Sequence, residues 1–126
     1  MTHPFRLVVE SGDLAALRDL LADGVVFNSP VAHKPYRGRE VVAQVLAFAA
    51  ATFEDFRYVD EVGDGDRVAL IFRARVGDRE VHGLDLVHTD ADGQVDELTV
   101  MVRPMSGLVA LGEAMNARFV AASLLA

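Results

Sequence analysis

The chain has no cysteine. Disulfide staples and thiolate metal sites are therefore excluded. Lysine is nearly absent as well. Lys34 is the only one, and the remaining basic residues are arginines scattered along the chain. Scattered cations form no basic patch. The net charge of −7, from 19 acidic against 12 basic residues, repels phosphate backbones and anionic membranes. No apolar stretch approaches the length of a membrane span, and Met1-Thr2-His3-Pro4-Phe5-Arg6 carries no secretory pattern. The expectation is a soluble, cytoplasmic protein with no nucleic acid and no membrane among its partners. No glycine-rich phosphate loop, nucleotide motif or Gly-x-Ser-x-Gly elbow occurs.

What the chain does have is apolar surface to hide. Hydrophobic residues make up 52% of the 126, near the upper edge for a soluble domain. A chain of this length is one domain by size, 1–126, and can bury a core unaided. The excess points to a lined cavity, a subunit interface or both.

The pattern along the chain divides into helices first and hairpins later. A short helix is predicted over 4–11, and Asp13 caps a second over 14–22, with Leu14, Leu17, Leu20 and Leu21 on one face. Asp23-Gly24 is expected to end it. A short strand at 25–29 leads into the proline-containing loop Pro30–Gly38. A helix follows at 39–52, with Val42, Val45, Leu46 and Ala49 on its buried side. Period-two alternation then places strands near 56–63, 67–76, 79–90 and 94–103, joined by Asp/Gly turns that favour hairpins. The last segment, 106–124, reads as a helix capped by Ser106. Its apolar Phe119, Val120, Leu124 and Leu125 pack in the core, cover a pocket mouth or meet a second subunit. The order implies an α+β fold in which a curved antiparallel sheet wraps around helices.

Several local patterns carry a family resemblance. They are Ser11-Gly12-Asp13-Leu14-Ala15-Ala16-Leu17, Tyr36-Arg37-Gly38-Arg39-Glu40 and Leu84-Asp85-Leu86-Val87. Asp92-Gly93-Gln94-Val95 and Val102-Arg103-Pro104 complete the set. In order and spacing, over roughly residues 3–104, the chain resembles the nuclear transport factor 2-like superfamily. That superfamily includes SnoaL-like polyketide cyclases and ketosteroid isomerases. The resemblance implies a cone-shaped cystatin-like fold with an internal pocket, and homodimers formed through the outer sheet face.

Ketosteroid isomerases combine a carboxylate base, a tyrosine and a protonated aspartic acid. Carried onto this chain, the acid falls on Asp85, the base on Ser29 and the tyrosine on Phe5. Ser29 cannot take a carbon-bound proton unaided, and Phe5 cannot donate a hydrogen bond. Ketosteroid isomerase chemistry is therefore not expected.

Alternation assigns sides to the strands. If Asp85 faces inward, so do Val81, Gly83 and Val87, while His82, Leu84, Leu86 and His88 face outward. Leu98, Val100 and Val102 form the inward set of the last strand. Val68, Leu70, Phe72 and Ala74 form that of the strand at 67–76. The expected pocket is lined by Phe5, Phe27, Phe72 and Val87 with Leu98, Val100 and Val102, and Asp85 is its main polar group. The outer face mixes Leu84, Leu86 and Met101 with arginines and histidines, as a partner surface would.

Asp85 has two readings. It is a carboxyl kept protonated by burial, donating to a carbonyl or phenol oxygen, or it pairs with a nearby histidine or arginine. Asn28 and Ser29 hold a ligand or a water, or simply form a strand-end turn. His33, in the loop, has the intrinsic pKa of a general base and is the candidate substitute for the missing carboxylate, unless it is merely solvated. Tyr36 lids the pocket or caps the loop, and Tyr58 reads as packing. His82 and His88 lie roughly 20 Å apart at strand rise, too far to share a metal. No metal and no cofactor is expected. Two functions stay open: a non-catalytic carrier or sensor of a small apolar or cyclic molecule, and an isomerase, cyclase or hydrolase using Asp85 and His33.

Overall fold

The structure, a computed structural model, describes residues 2–122. Helix α1 (Pro4–Ser11) begins where the His3 ring nitrogen Nδ1 accepts the Phe5 N–H at 3.0 Å, with Pro4 at the first helical position. It stops at Gly12, whose φ of 73° reverses the chain. Asp13 caps α2 (Leu14–Leu20) by accepting the Ala16 N–H at 3.0 Å, as its position predicts.

The second helix ends earlier than expected. Leu21 already belongs to strand β1 (Leu21–Asn28), and Asp23-Gly24 sits inside that strand as an exposed irregularity. Burial is the reason, because Leu21, Val25 and Phe27 all reach the core along an extended chain. Arg39 ties the irregularity down from the helix side. Its Nε donates to the Leu21 carbonyl at 2.9 Å, and its Nη2 lies 2.8 Å from Asp23. The loop after β1 contains a two-residue strand, β2 (Tyr36–Arg37), paired back onto β1.

Helix α3 (Arg39–Thr52) precedes the meander of β3 (Glu54–Asp64), β4 (Arg67–Val76), β5 (Arg79–Thr89) and β6 (Val95–Arg103). Helix α4 (Met105–Ala121) follows directly. Its N-cap is Pro104, whose carbonyl accepts the Leu108 N–H, so Ser106 lies within the first turn and caps nothing. The expected continuation to 124, with Leu124 and Leu125, lies outside the described residues. No helix among the described residues is long and apolar enough to cross a membrane.

The six strands run in the order β2-β1-β6-β5-β4-β3. All neighbours are antiparallel except β1 and β6, which are parallel, so the curved sheet is mixed. Its concave face carries Val68, Leu70, Phe72 and Ala74 from β4, Val81, Asp85 and Val87 from β5, and Leu98 from β6. These are the residues that alternation turns inward. Helix α4 buries Leu111, Met115 and Phe119 within the same core.

Gly83 and Gly107 allow close approaches between elements. A Cβ on Gly107 would meet the Val81 side chain at 2.6 Å, and one on Gly83 would meet the Phe72 ring at 2.6 Å and the Met101 carbonyl oxygen. Gly83→Ala should therefore cost about 1–3 kcal/mol through overpacking. Thermal denaturation should show a melting temperature several degrees lower. Gly24→Ala, with nothing within 4 Å of its added carbon, serves as the control that leaves the midpoint in place.

Candidate functional site

Strand β3 departs twice from regular pairing with β4. Glu54 faces Arg75 and Arg57 faces Arg73, so Asp55 and Phe56 share the single position opposite Ala74. A second break lies between Tyr58 and Asp60. Each bulge adds a residue and re-aims the side chains beyond it. After the second, Glu61 rather than Asp60 stands opposite the inward-facing Leu70. Glu61 thereby reaches α1, accepting from the His3 backbone N–H at 3.2 Å and from Arg6 at 3.4 Å.

Between the bulges, Tyr58 turns into the core and is 6% exposed. Its hydroxyl donates to Asp85 Oδ2 at 2.6 Å. Asp85 is 8% exposed, with Leu70 and Val100 as its cross-strand neighbours. Burial pushes the Asp85 carboxyl up to about 7, and the Tyr58 hydrogen bond pulls the other way. Burial and the Asp85 charge push Tyr58 far above its ordinary value, so it stays a donor. Asp85 pairs with a tyrosine, not with the histidine or arginine considered from sequence. Among the described residues no buried side-chain polar atom lacks a partner.

A cavity of about 520 Å³ lies nearby, between α1, α2, α3 and the start of β3. Its walls are Phe5, Val8, Val9, Leu17, Leu46, Phe53 and Phe56 with several alanines. Among the described residues Glu10 and Asp13 are its only carboxylates, and both are engaged. Glu10 pairs with Arg6 at 3.4 Å, and Asp13 caps α2.

The residues expected to line one pocket are distributed over several places. Phe5 lines the cavity. Phe72, Val87 and Leu98 are packed in the core, and Val100 and Val102 lie partly buried against it. Phe27 and Tyr36 stack at 6.2 Å, and Tyr36 meets Phe119 of α4 at 5.9 Å. Burial raises the Tyr36 hydroxyl above its ordinary value. Asn28 donates to Thr99 Oγ1 at 2.9 Å and to Glu97 at 3.3 Å, so its amide links β1 to β6. Ser29 Oγ accepts the Val31 N–H at 3.2 Å, which makes it a turn residue. His33 is exposed, hydrogen-bonds to no described residue and does not line the cavity. No group of three or more histidines and carboxylates among the described residues could hold a metal ion.

Sequence reasoning missed Tyr58. Its neighbourhood with Asp85 crosses β4 and follows a register break between Tyr58 and Asp60, neither of which is visible in the sequence.

The chain belongs to the SnoaL-like domain family, whose profile matches residues 4–101. Solved structures agree. A steroid delta-isomerase from Pseudomonas aeruginosa is 47% identical, with 94% of this chain and 88% of that one covered at a TM-score of 0.87. An uncharacterized protein with a cystatin-like fold from Silicibacter pomeroyi is 36% identical, with 94% and 87% covered at 0.89. An NTF2-like protein of unknown function from Mesorhizobium loti is 25% identical, with 79% and 85% covered at 0.70. No curated protein matches the chain.

Asp85 makes a testable statement about pH. Its carboxyl moves from 3.8 to about 7 on folding, so the folded chain holds a proton the unfolded chain has released. The stability this gives is complete below the unfolded value and is lost as pH rises through the folded one, on the order of 4 kcal/mol across the window. Asp85→Asn keeps an acceptor for Tyr58 and cannot ionise. Between pH 5 and pH 8 the melting temperature of the natural chain should fall relative to that of Asp85→Asn. Parallel pH profiles for the two chains would contradict the assignment.

Proposed function

We propose that the chain is a non-catalytic carrier or sensor that holds a small, flat, apolar molecule in the cavity between α1, α2, α3 and β3. One observation carries the reading. The cavity has aromatic and aliphatic walls, and both of its carboxylates are already engaged. Its volume falls within the ~300–1,000 Å³ typical of small-molecule sites. Such a pocket binds by burying the ligand's apolar surface, and no unengaged acid or base stands in its wall. Ser29 offers no proton acceptor for carbon acids, and its hydroxyl serves a turn.

A second reading has its own support. The Pseudomonas aeruginosa structure at 47% identity is that of a steroid delta-isomerase, and Asp85 is an acid poised near neutrality. There the chain would be an isomerase, cyclase or hydrolase on a small cyclic or polyketide-like substrate, with Asp85 as acid or oxyanion stabiliser.

The two separate in one set of measurements. Naphthalene binding, followed by ligand-detected NMR, should weaken at least tenfold in Ala50→Trp, which puts an indole on an exposed residue of the cavity wall, with little change in melting temperature. Unchanged affinity in that variant would remove the cavity as the site. Incubation with a 3-oxo-Δ5 steroid should give no isomerisation above background. Turnover that collapses in Asp85→Asn would establish the second reading instead.

We also assign the outer sheet face to a second copy of the chain. Ile71, Leu84 and Met101 form an apolar row across β4, β5 and β6, and Met101 is 53% exposed. Arg73, His82 and Arg103 flank the row on one side, and Ala69, Leu86 and Thr99 continue it on the other, so a two-fold pair of copies can lay apolar row against apolar row away from the cations. Sedimentation of the natural chain should report a dimer, and Met101→Asp a monomer. A natural chain that sediments as a monomer would refute the assignment.

A further inference from the structure

We propose that a line of cations on the outer face of the sheet docks an acidic segment of a partner protein. The line is Arg57, Arg73, His82 and Arg103, one residue from each of β3, β4, β5 and β6. It is independent of the cavity. It lies beside the apolar row given to a second copy, so the same face can serve both contacts.

Strand register builds the line. Arg57 stands opposite Arg73, Arg73 opposite His82, and His82 opposite Arg103. Their chain neighbours Tyr58, Phe72 and Val81 turn into the core, so these side chains turn out. The three arginines are exposed and His82 is half-buried. Adjacent strands lie about 4.8 Å apart, so the line spans about 14 Å.

The chain leaves these cations without counter-charge, although its carboxylates outnumber its cations 19 to 12. Elsewhere the carboxylates are used: Arg6, Arg18, Arg39 and Arg75 each hold at least one. Among the described residues, Arg57, Arg73 and Arg103 form no ion pair. Arg57 reaches only the Asp55 carbonyl, at 3.0 Å, because Arg75 holds the Asp55 carboxylate at 2.7 and 3.0 Å. Arg103 donates to His82 Nδ1 at 3.4 Å. Two carboxylates stand one step along the strands, Glu80 opposite Arg75 and Asp60 opposite Ile71, and neither pairs with the line. Burial, with Arg73 and Arg103 beside it, holds His82 below its ordinary pKa.

Like charges facing each other across strands destabilise a sheet. A line of them in an otherwise acidic chain is complementary to an anion from outside. The length of the line selects the anion. One carboxylate or phosphate spans a single gap between cations. Carboxylates three and four residues apart on a helix are about 5–6 Å apart, close to the strand spacing, so an acidic segment can meet several of the cations at once.

The probe is octaglutamate, followed by calorimetry and by the His82 ring resonances, which His82→Gln assigns. The natural chain should bind it, and at least tenfold more weakly at about 0.5 M salt than at about 0.05 M. Arg73→Gln/Arg103→Gln should bind at least tenfold more weakly than the natural chain. Arg37→Gln/Arg67→Gln has the same net charge with both changes outside the line, and it should bind as the natural chain does. Bound octaglutamate should raise the His82 pKa. Without the probe, Arg73→Gln/Arg103→Gln should melt no lower than the natural chain, because repulsion is relieved. A lower melting temperature would make the line structural and overturn the proposal. So would no binding at about 0.05 M salt, or an equal loss in the two double variants, which would report net charge alone. Tighter binding of inorganic triphosphate at the line would replace the protein segment with a small polyanion. If Arg73→Gln/Arg103→Gln sediments differently from the natural chain, the line belongs to the contact between copies and the proposal falls.

Discussion

The burial of one carboxyl governs the interior of this protein. Asp85 stands on a central strand between Leu70 and Val100, where an ionised acid is costly. The Tyr58 hydroxyl, on the stretch of β3 between two bulges, offsets part of that cost. The bulges also set the phase of the rest of β3, so that Glu61 meets Arg6 and the first turn of α1. The position of the first helix and the state of the acid are therefore linked through one irregular strand. The helix in turn supplies Phe5, Val8 and Val9 to the cavity.

Much of this architecture could be read from the chain. Asp13 as a cap, the α3 limits and the inward sets of β4, β5 and β6 come from capping chemistry and from alternation, which are local rules. The departures have non-local causes. Asp23-Gly24 reads as a helix stop, yet core contacts at Leu21 and Val25 draw the segment into a strand. Ser106 reads as a cap, yet the helix begins earlier because Pro104 already leaves β6.

The candidate site was legible in part. Asp85 stands out because an acid between leucines breaks the apolar pattern. Its partner does not stand out, because a tyrosine on a strand looks the same whether its hydroxyl meets solvent or a carboxyl. Alternation puts the pocket on the sheet, whereas the cavity lies among the helices with Phe5 as the shared residue. Helix α4 explains the displacement. Its buried Leu111, Met115 and Phe119 join the core that faces the sheet.

The parallel pairing of β1 with β6 has a consequence for how the chain is made. Asn28 and Thr99, which join these strands, are 71 residues apart in sequence. Closing so long a loop is entropically slow compared with zipping the three hairpins of the meander. On an emerging chain, β1 can pair at once with the two-residue β2, but its longer pairing, with β6, must wait. Until β6 arrives, the edge of β1 away from β2 remains unpaired. A chain cut short before residue 95 therefore leaves the long edge of β1 open, a ready template for pairing with another chain.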